Sequence, residues 1–383
     1  MKLIYLANAR IPTEKAHGIQ IMKTCEALVK AGVDVSLWVP KRKNPDYTNV
    51  NPFEFYKVSK RFPIVYLDCL DTVGRFKFLP GLGFYLQSKS FSRAVESRLK
   101  KGGYSSYIFY SRDTYPLIPI LKKGLPYFYE IHTLKDRPTA LTRRVISNAK
   151  GLVTITSSLS ELASQYFDNT KILVAEDGVD LDFFQSNDDK KNVRLRLGLP
   201  EHEKIVLYSG HLYQWKGVET LATSSSFLGQ GISIYFLGGT DQDIENFKNF
   251  VSTKKLERVK VLGRVKYGEV AAYLSAADVL VLPTSAKFEI GRSHTSPLKL
   301  FEYMASRRPI VASDVPSTRE ILDEQTALFF KPDDPASLAE KIKNLLGDGK
   351  LSERIAENAR KKVGLYTWAS RVQKIIKFLE QNI

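Results

Sequence analysis

The sequence predicts an α/β protein built from two doubly wound parallel sheets in tandem. Three observations carry that prediction. Short β-rich apolar runs alternate with amphipathic helical stretches almost from end to end, which is the pattern of parallel sheets covered by helices on both faces. The alternation breaks once, at the polar stretch QSNDDKKNVRLRLGLPEHEK, where charges of both signs replace any strand period. The chain, at 383 residues, is also too long for one small core and long enough for two. We therefore expect a first domain over 1–180, a second over 181–365 and a closing helix over 366–383 that crosses back to the first. Sheets of this kind bind ligands outside the carboxyl ends of their strands, so an interdomain cleft is the expected site.

The elements follow in order. In the first half KLIYLA, DVSLWVP, SSYIFY, YFYEIH, GLVTIT and KILVAE read as strands. Between the first two, Ile21, Cys25, Leu28 and Val29 share one helical face and Gly32 ends the helix. After the break IVLYSG, ISIYFLG, VKVLG, DVLVLP, PIVAS and ALFF are short and β-rich, with helices such as YGEVAAYLSAA between them. The final TWASRVQKIIKFLEQ is amphipathic, with Thr367 as its expected N-cap.

Composition narrows the function. The chain is 43% hydrophobic and 26% charged, without a run of eighteen apolar residues, so no membrane span is expected. The opening apolar run breaks at Asn8 and Arg10, too early for a signal peptide, and reads as a strand. Two cysteines, Cys25 and Cys69, without metal-ligand spacing, fit a reducing cytoplasmic setting. A net charge of +16 suits phosphorylated small molecules, an anionic membrane face or a polyanion. Zinc-finger spacing, RNA-recognition aromatics and basic heptads are missing from the sequence, which argues against nucleic acid.

Several stretches carry possible chemistry. In SPLKLFEYMASRRPIVASD, Ser296 is a good N-cap and Pro297 suits the first helical position, so the helix is expected to begin at 296 or 297. Its first turn offers free N–H groups and a positive dipole end to an anion, reinforced by Lys299. Glu302, one turn on, is placed to accept hydrogen bonds from a diol, and phosphate beside ribose fits both. Upstream, LYSGHLYQWKGVETL gives a strand, a glycine turn at Gly210 and a helix start near Lys216 and Gly217. There the backbone can approach a diphosphate closely and the lysine can meet its charge. YFLGGTDQD adds Gly238 and Gly239 at another strand's carboxyl end.

These stretches, together with HGIQIMKTCEALVKAGVDVSLWVP, YEIHTL, EDGVDLDFF, LGRVKYGEVAAYLSAADVLVLP and FFKPDDPASLAEKI, resemble in order the retaining GT-B glycosyltransferases of glycosyltransferase family 4. The resemblance spans nearly the whole chain. It implies transfer of a sugar from a nucleotide diphosphate donor to an acceptor hydroxyl, with retention, without a metal and without a cofactor. It also implies a glycan or lipid-linked glycan as acceptor, and with the cysteine usage and the net charge the expected location is cytoplasmic, at the inner face of an anionic membrane. Carried over by residue, Lys216 contacts the diphosphate and Glu302 the ribose. Leu298 and Lys299 offer backbone and charge to the phosphates, Ser296 and Pro297 belong to the same nucleotide-sugar site, and Gly18, on the loop after the first strand, passes close to the diphosphate. Gly210, His211, Gly238, Gly239 and Arg264 complete the nucleotide-sugar set, and His132 sits by the reacting sugar. The implied reaction has no enzyme nucleophile: the acceptor attacks from the leaving-group face while the departing phosphate takes its proton.

The sequence departs from the family at three places. The first of two glutamates eight positions apart falls on His294, the arginine after Gly210 is His211, and a glycine before the PIVAS strand is Arg307. Arg292 or Lys287 is a candidate for the missing cation. His132 ends an apolar strand, where a packing role stands beside the functional one. Arg112 and Asp113 either reach the site or pair with each other. In RFKFLPGLGFYLQSKS, Arg75, Lys77 and Lys89 alternate with Phe76, Phe78, Leu79, Phe84 and Tyr85. That mixture reads as a membrane-dipping surface or as a half-buried helix with a basic outer face. Its GLG lacks the third glycine of a dinucleotide fingerprint. Two other functions fit parts of the sequence: a nucleotide-sugar epimerase of the same fold, and a non-catalytic basic protein that binds membranes or polyanions.

Overall fold

The computed structural model describes all residues of the chain except 74, 75, 77, 78, 186, 187, 294 and 295. It divides into two compact units, Met1–Glu176 with Trp368–Ile383, and Asp177–Thr367.

The first unit holds a seven-stranded sheet in the order β3-β2-β1-β4-β5-β6-β7, every pairing parallel. Its strands are β1 Lys2–Leu6, β2 Asp34–Pro40, β3 Ile64–Leu67, β4 Ile108–Ser111, β5 Tyr127–Ile131, β6 Gly151–Thr154 and β7 Ile172–Val174. Central strands β4, β5 and β6 are buried at every residue while β3 and β7 at the edges are only partly so. Burial on both faces is why the central strands read as continuous apolar runs. β3 was not expected from the sequence. It is four residues long, lies at an edge, and keeps only Leu67 buried.

The second unit repeats the plan with six strands in the order β10-β9-β8-β11-β12-β13, again all parallel. They are β8 Lys204–Ser209, β9 Ile232–Leu237, β10 Val259–Gly263, β11 Val279–Leu282, β12 Ile310–Ser313 and β13 Leu328–Phe330. In each sheet the chain winds outward from a central strand in both directions, so a topological switch point lies between β1 and β4 and another between β8 and β11. Loops leaving the carboxyl ends of those strands diverge and leave room for a ligand.

The helix Ala16–Lys30 follows β1, with ten consecutive-region residues from Gly18 to Leu28 buried among its fifteen. The helix Trp368–Gln381 packs against it, burying Trp368, Arg371, Val372, Ile375, Phe378 and Leu379. Gly32 takes φ 87°, the left-handed conformation that ends the first of these helices without a Cβ penalty. No described helix is long and apolar enough to cross a membrane.

Candidate active site

The site in the second unit starts from glycines. β8 ends at Gly210, whose φ of 134° excludes other residues, and the Gly210 N–H donates to the Leu237 carbonyl at 2.8 Å. Gly238 follows β9 with φ 111°, and a Cβ on it would lie 2.6 Å from the Gly210 carbonyl oxygen. The two turns therefore touch backbone to backbone. The Tyr208 hydroxyl, reaching up from β8, donates to the His211 carbonyl at 2.6 Å and fixes the chain's exit from the turn.

A single 3₁₀ turn, Gln214–Lys216, then brings the chain to Gly217 at φ 70°. A Cβ there would sit 1.7 Å from the Pro283 carbonyl oxygen, and the Ser285 N–H donates to the Trp215 carbonyl at 3.1 Å. So the loops after β8 and β11 are locked together at the switch point, and Lys216 is fixed beside them. Its ammonium lies 3.7 Å from the centroid of the Trp215 ring. Trp215 stacks in turn near Tyr213, and Tyr213 on His211, at 6.5 and 4.9 Å between centroids. Although the residue as a whole is half-buried, desolvation pulls the Lys216 ammonium down to about 7.

The helix Leu298–Ala305 presents its N-terminus to the same place, and all eight residues are buried. Two expectations need correction. Pro297 occupies the N-cap position rather than the first helical one, and no side chain caps the helix. Ser296 instead accepts the Asp177 N–H at 3.5 Å, because the segment before β8 runs past it. The N–H groups of Leu298 and Lys299 consequently have no hydrogen-bond partner among the described residues, which is what an anion needs of a helix start.

Lys299 is buried, and its Nζ has no hydrogen-bond partner among the described residues. It rests 3.8 Å from the centroid of the Tyr208 ring, and a Cβ on Gly210 would stand 3.7 Å from it. Burial and then the charge of Lys216 push its ammonium well below the ordinary lysine range, with Glu302 opposing them. Burial raises the Glu302 carboxyl to about 7 against the pull of Lys299. The structure thus gathers Gly210, Lys216, Gly238, Lys299 and Glu302 at one switch point. Tyr208 and Trp215, which sequence reasoning missed, are the rings on which the two ammonium groups rest.

The remaining candidates are more peripheral. Gly239, at φ 95°, packs against Leu212 and Ile244, where a Cβ would meet carbon atoms at 3.1 Å. Arg264 is exposed and pairs with Asp241 at 3.7 Å. His211 faces Asp243 at 3.8 Å. Arg292 is engaged by Glu289, and Lys287 is exposed. His294 lies outside the described residues, as do Arg75, Lys77 and Phe78. Arg307 adopts φ 54°, the conformation in which a glycine is unstrained, and its exposure accommodates the side chain. Among the described residues no group of three or more His, Cys, Asp or Glu side chains is arranged to hold a metal.

Gly18 and His132 belong to the first unit. Gly18 is not on a loop but within the first turn of the helix Ala16–Lys30. A Cβ on it would lie 2.3 Å from the Tyr56 hydroxyl, which donates to the Thr13 carbonyl and accepts the Thr13 N–H. The glycine is demanded by that close packing. His132 leaves β5 with its Nε2 2.6 Å from Glu130 Oε1 and a side chain 14% exposed. Desolvation, then the charge of Arg112, lowers its imidazole to about 4. His17 is lowered to about 3 by the same pair of causes in the same order. Arg112 and Asp113 do not bond to each other: Arg112 donates to Gln20 at 2.8 Å, and Asp113 accepts the Asn8 N–H at 2.7 Å. Sequence reasoning passed over Glu130, although a carboxylate inside the buried strand YFYEI is itself a signal.

Two parallel Rossmann-like sheets, each with its polar groups at the carboxyl-end switch point, define the GT-B class of glycosyltransferase fold. Solved structures agree across the chain's full length. The Anabaena Alr3699/HepE crystal structure in complex with UDP is similar at TM-score 0.77 and 16% identity, covering 100% of both chains. Sucrose-phosphate synthase from Thermosynechococcus elongatus is similar at TM-score 0.79 and 20% identity, covering 100% of this chain and 99% of that one. Residues 189–362 match the family of glycosyl transferases group 1. That match falls within the second unit, Asp177–Thr367. Among curated relatives, the putative teichuronic acid biosynthesis glycosyltransferase TuaC of Bacillus subtilis is 28% identical over 204 residues, 52% of this chain and 48% of that protein. The D-inositol 3-phosphate glycosyltransferase of Corynebacterium glutamicum is 23% identical over 280 residues, 66% of this chain and 65% of that protein. The chain thus spans about half to two thirds of the length of these curated relatives.

Proposed function

We propose that the protein is a retaining glycosyltransferase of family 4 that moves a sugar from a nucleotide diphosphate donor to a hydroxyl of a glycan or lipid-linked glycan without a metal. The observation that carries this reading is the pairing of two desolvated lysines, Lys216 and Lys299, with an uncapped helix N-terminus. Two cations buried together are costly unless an anion of higher charge joins them. A diphosphate satisfies both, and Glu302 stands one helical turn along, where a ribose would follow.

In the reaction the acceptor oxygen bonds to the anomeric carbon as the bond from that carbon to the phosphate oxygen breaks. The bonding pair goes to the diphosphate, which also takes the acceptor's proton. The lysines and the helix start stabilise the developing charge without rearrangement, a contribution of about 3–4 kcal/mol per well-placed donor. His132 is assigned to the transferred sugar. Incubation with nucleotide sugars and an acceptor extract in EDTA should release nucleoside diphosphate; turnover that returns only on adding metal would refute metal independence.

The acceptor side is read as lipid-associated. Leu70, Phe76, Leu79, Phe84 and Tyr85, on and before the helix Pro80–Leu99, are 56%, 39%, 61%, 49% and 40% exposed, and the chain carries a net charge of +16. The rest of that helix is half-buried, so its N-terminal end alone supplies the apolar surface.

A further inference from the structure

Glu130 carries four side-chain hydrogen bonds within the first unit. It is fully buried on β5. Its Oε1 accepts from Gln20 Nε2 at 2.7 Å, from Arg371 at 2.8 Å and from His132 Nε2 at 2.6 Å, and its Oε2 accepts the Tyr110 hydroxyl. Arg371 comes from the helix Trp368–Gln381, 241 positions further along the chain, and is itself anchored by the Glu176 carbonyl at 3.0 Å.

The Gln20 amide nitrogen and the Arg371 guanidinium can only donate to this carboxylate, and the Tyr110 hydroxyl donates to it as well. A carboxylate so surrounded stays ionised and has no proton to give. His132 must therefore donate through Nε2. In a neutral imidazole that leaves Nδ1 as a bare acceptor, and Nδ1 has no partner among the described residues.

We propose that Glu130, anchored by Arg371, is a positioning residue that holds His132 as the neutral Nε2–H tautomer, so that Nδ1 accepts a hydrogen bond from a hydroxyl of the bound sugar and the ring moves no proton. This rests on the assignment of His132 to the transferred sugar. The charges around the ring favour the neutral form: Arg112 from the end of β4 and Arg371 from the C-terminal helix oppose protonation, Glu130 alone favours it, and His17 lies close by on the helix Ala16–Lys30. Ordinary packing would need a satisfied histidine. It would not need an ionised carboxylate buried in a sheet and matched by an arginine from so remote a segment.

The test reads the tautomer directly. In the ¹⁵N-labelled, ligand-free full chain, two-bond ¹H–¹⁵N correlations of the histidine rings, with His132 assigned by its loss in His132→Asn, should show a protonated Nε2 and a bare Nδ1 from about pH 5.5 to pH 8. In Glu130→Gln, whose amide can donate or accept, the ring should populate both tautomers, and turnover should fall about tenfold or more with nucleotide affinity unchanged. The double variant Glu130→Gln/Arg371→Met removes both buried charges together and serves if the single variant does not fold. A wild-type ring protonated on Nδ1, a ring that titrates at the ordinary histidine value, or a charge-free variant that keeps one tautomer and full turnover would overturn the assignment. Because the wild-type spectrum needs no substrate, failure of nucleotide release in the transferase assay would sink the transferase reading separately.

Discussion

Nucleotide binding should take up protons, and the extent follows from the two lysines. In the free protein Lys216 titrates near 7 and Lys299 lower still than the ordinary range. At pH 8 a lysine with a value near 7 is about 90% neutral. A diphosphate between the two ammonium groups restores both charges, so binding of UDP at pH 8 should consume roughly one proton at Lys216 and up to one more at Lys299. Glu302, near 7, is by then about 90% ionised and releases only about 0.1 proton. The terminal phosphate of the nucleotide, with a value of about 6, has already lost its own.

Linkage fixes the sign. When the bound state holds more protons, affinity falls as pH rises, by about tenfold per pH unit for each proton taken up. The association constant should therefore drop about ten- to a hundredfold between about pH 8 and pH 9. The drop should be shallower below pH 7, where Lys216 already carries its proton. Titration calorimetry in two buffers of different ionisation enthalpy counts the protons directly. Lys216→Ala should weaken binding about 10- to 100-fold at pH 7, the worth of a hydrogen bond between charged partners, and should remove about one proton from the count at pH 8. Affinity that stays constant from pH 7 to pH 9 with heats independent of buffer would refute the claim that these ammonium groups are neutral before the ligand arrives.

Two further outcomes are expected. Gly217→Ala places a methyl group 1.7 Å from the Pro283 carbonyl oxygen in a left-handed turn. It should cost about 1–2 kcal/mol for the backbone alone and more for the clash, and a thermal melt with a UDP titration should show lower stability and weaker binding together. Unchanged nucleotide affinity would mean that the turn does not fix Lys216. Vesicles with anionic lipid should co-sediment the protein, and Leu79→Glu/Phe84→Glu should release it; equal binding to neutral vesicles, or none to either, would refute lipid docking through this helix end.

Much of the fold is legible in the sequence because burial on both faces makes strands visible. Twelve strands can be read from apolar runs, against seven and six in the two sheets. β3 escapes because an edge strand of four residues has no run to show. The placement of Lys299 and Glu302 follows from helical spacing, since both depend only on where one helix begins. That start is itself displaced by a residue, because Ser296 bonds to Asp177 from another segment, and no local rule announces such a partner. Tyr208 and Trp215 are invisible for a related reason. A ring under an ammonium group looks in sequence like any aromatic residue of a strand or turn, and only the folded turn at Gly210 and Gly217 gives it that task. The bond from Arg371 to Glu130 joins positions so far apart that periodicity says nothing of it.

Why lysine, and not arginine, at both clamp positions follows from the empty state. A guanidinium keeps its charge at any working pH, so two of them desolvated beside each other would repel for as long as the site stood vacant. A lysine can shed its proton when buried, and the rings of Trp215 and Tyr208 offer the ammonium a partial substitute for water when it does not. The site can therefore be dry before the nucleotide arrives and fully charged afterwards. Glu302 behaves in the opposite sense, since its carboxyl is raised by burial and recovers its charge as Lys299 becomes cationic. Under the proposed function, charging the clamp and binding the donor are then coupled above about pH 7, where Lys216 is mostly neutral before the nucleotide arrives. An arginine at position 216 tests this: it should bind UDP with little dependence on pH but melt at a lower temperature in its absence, whereas a nucleotide-free variant as stable as the wild type would show that vacancy imposes no such cost.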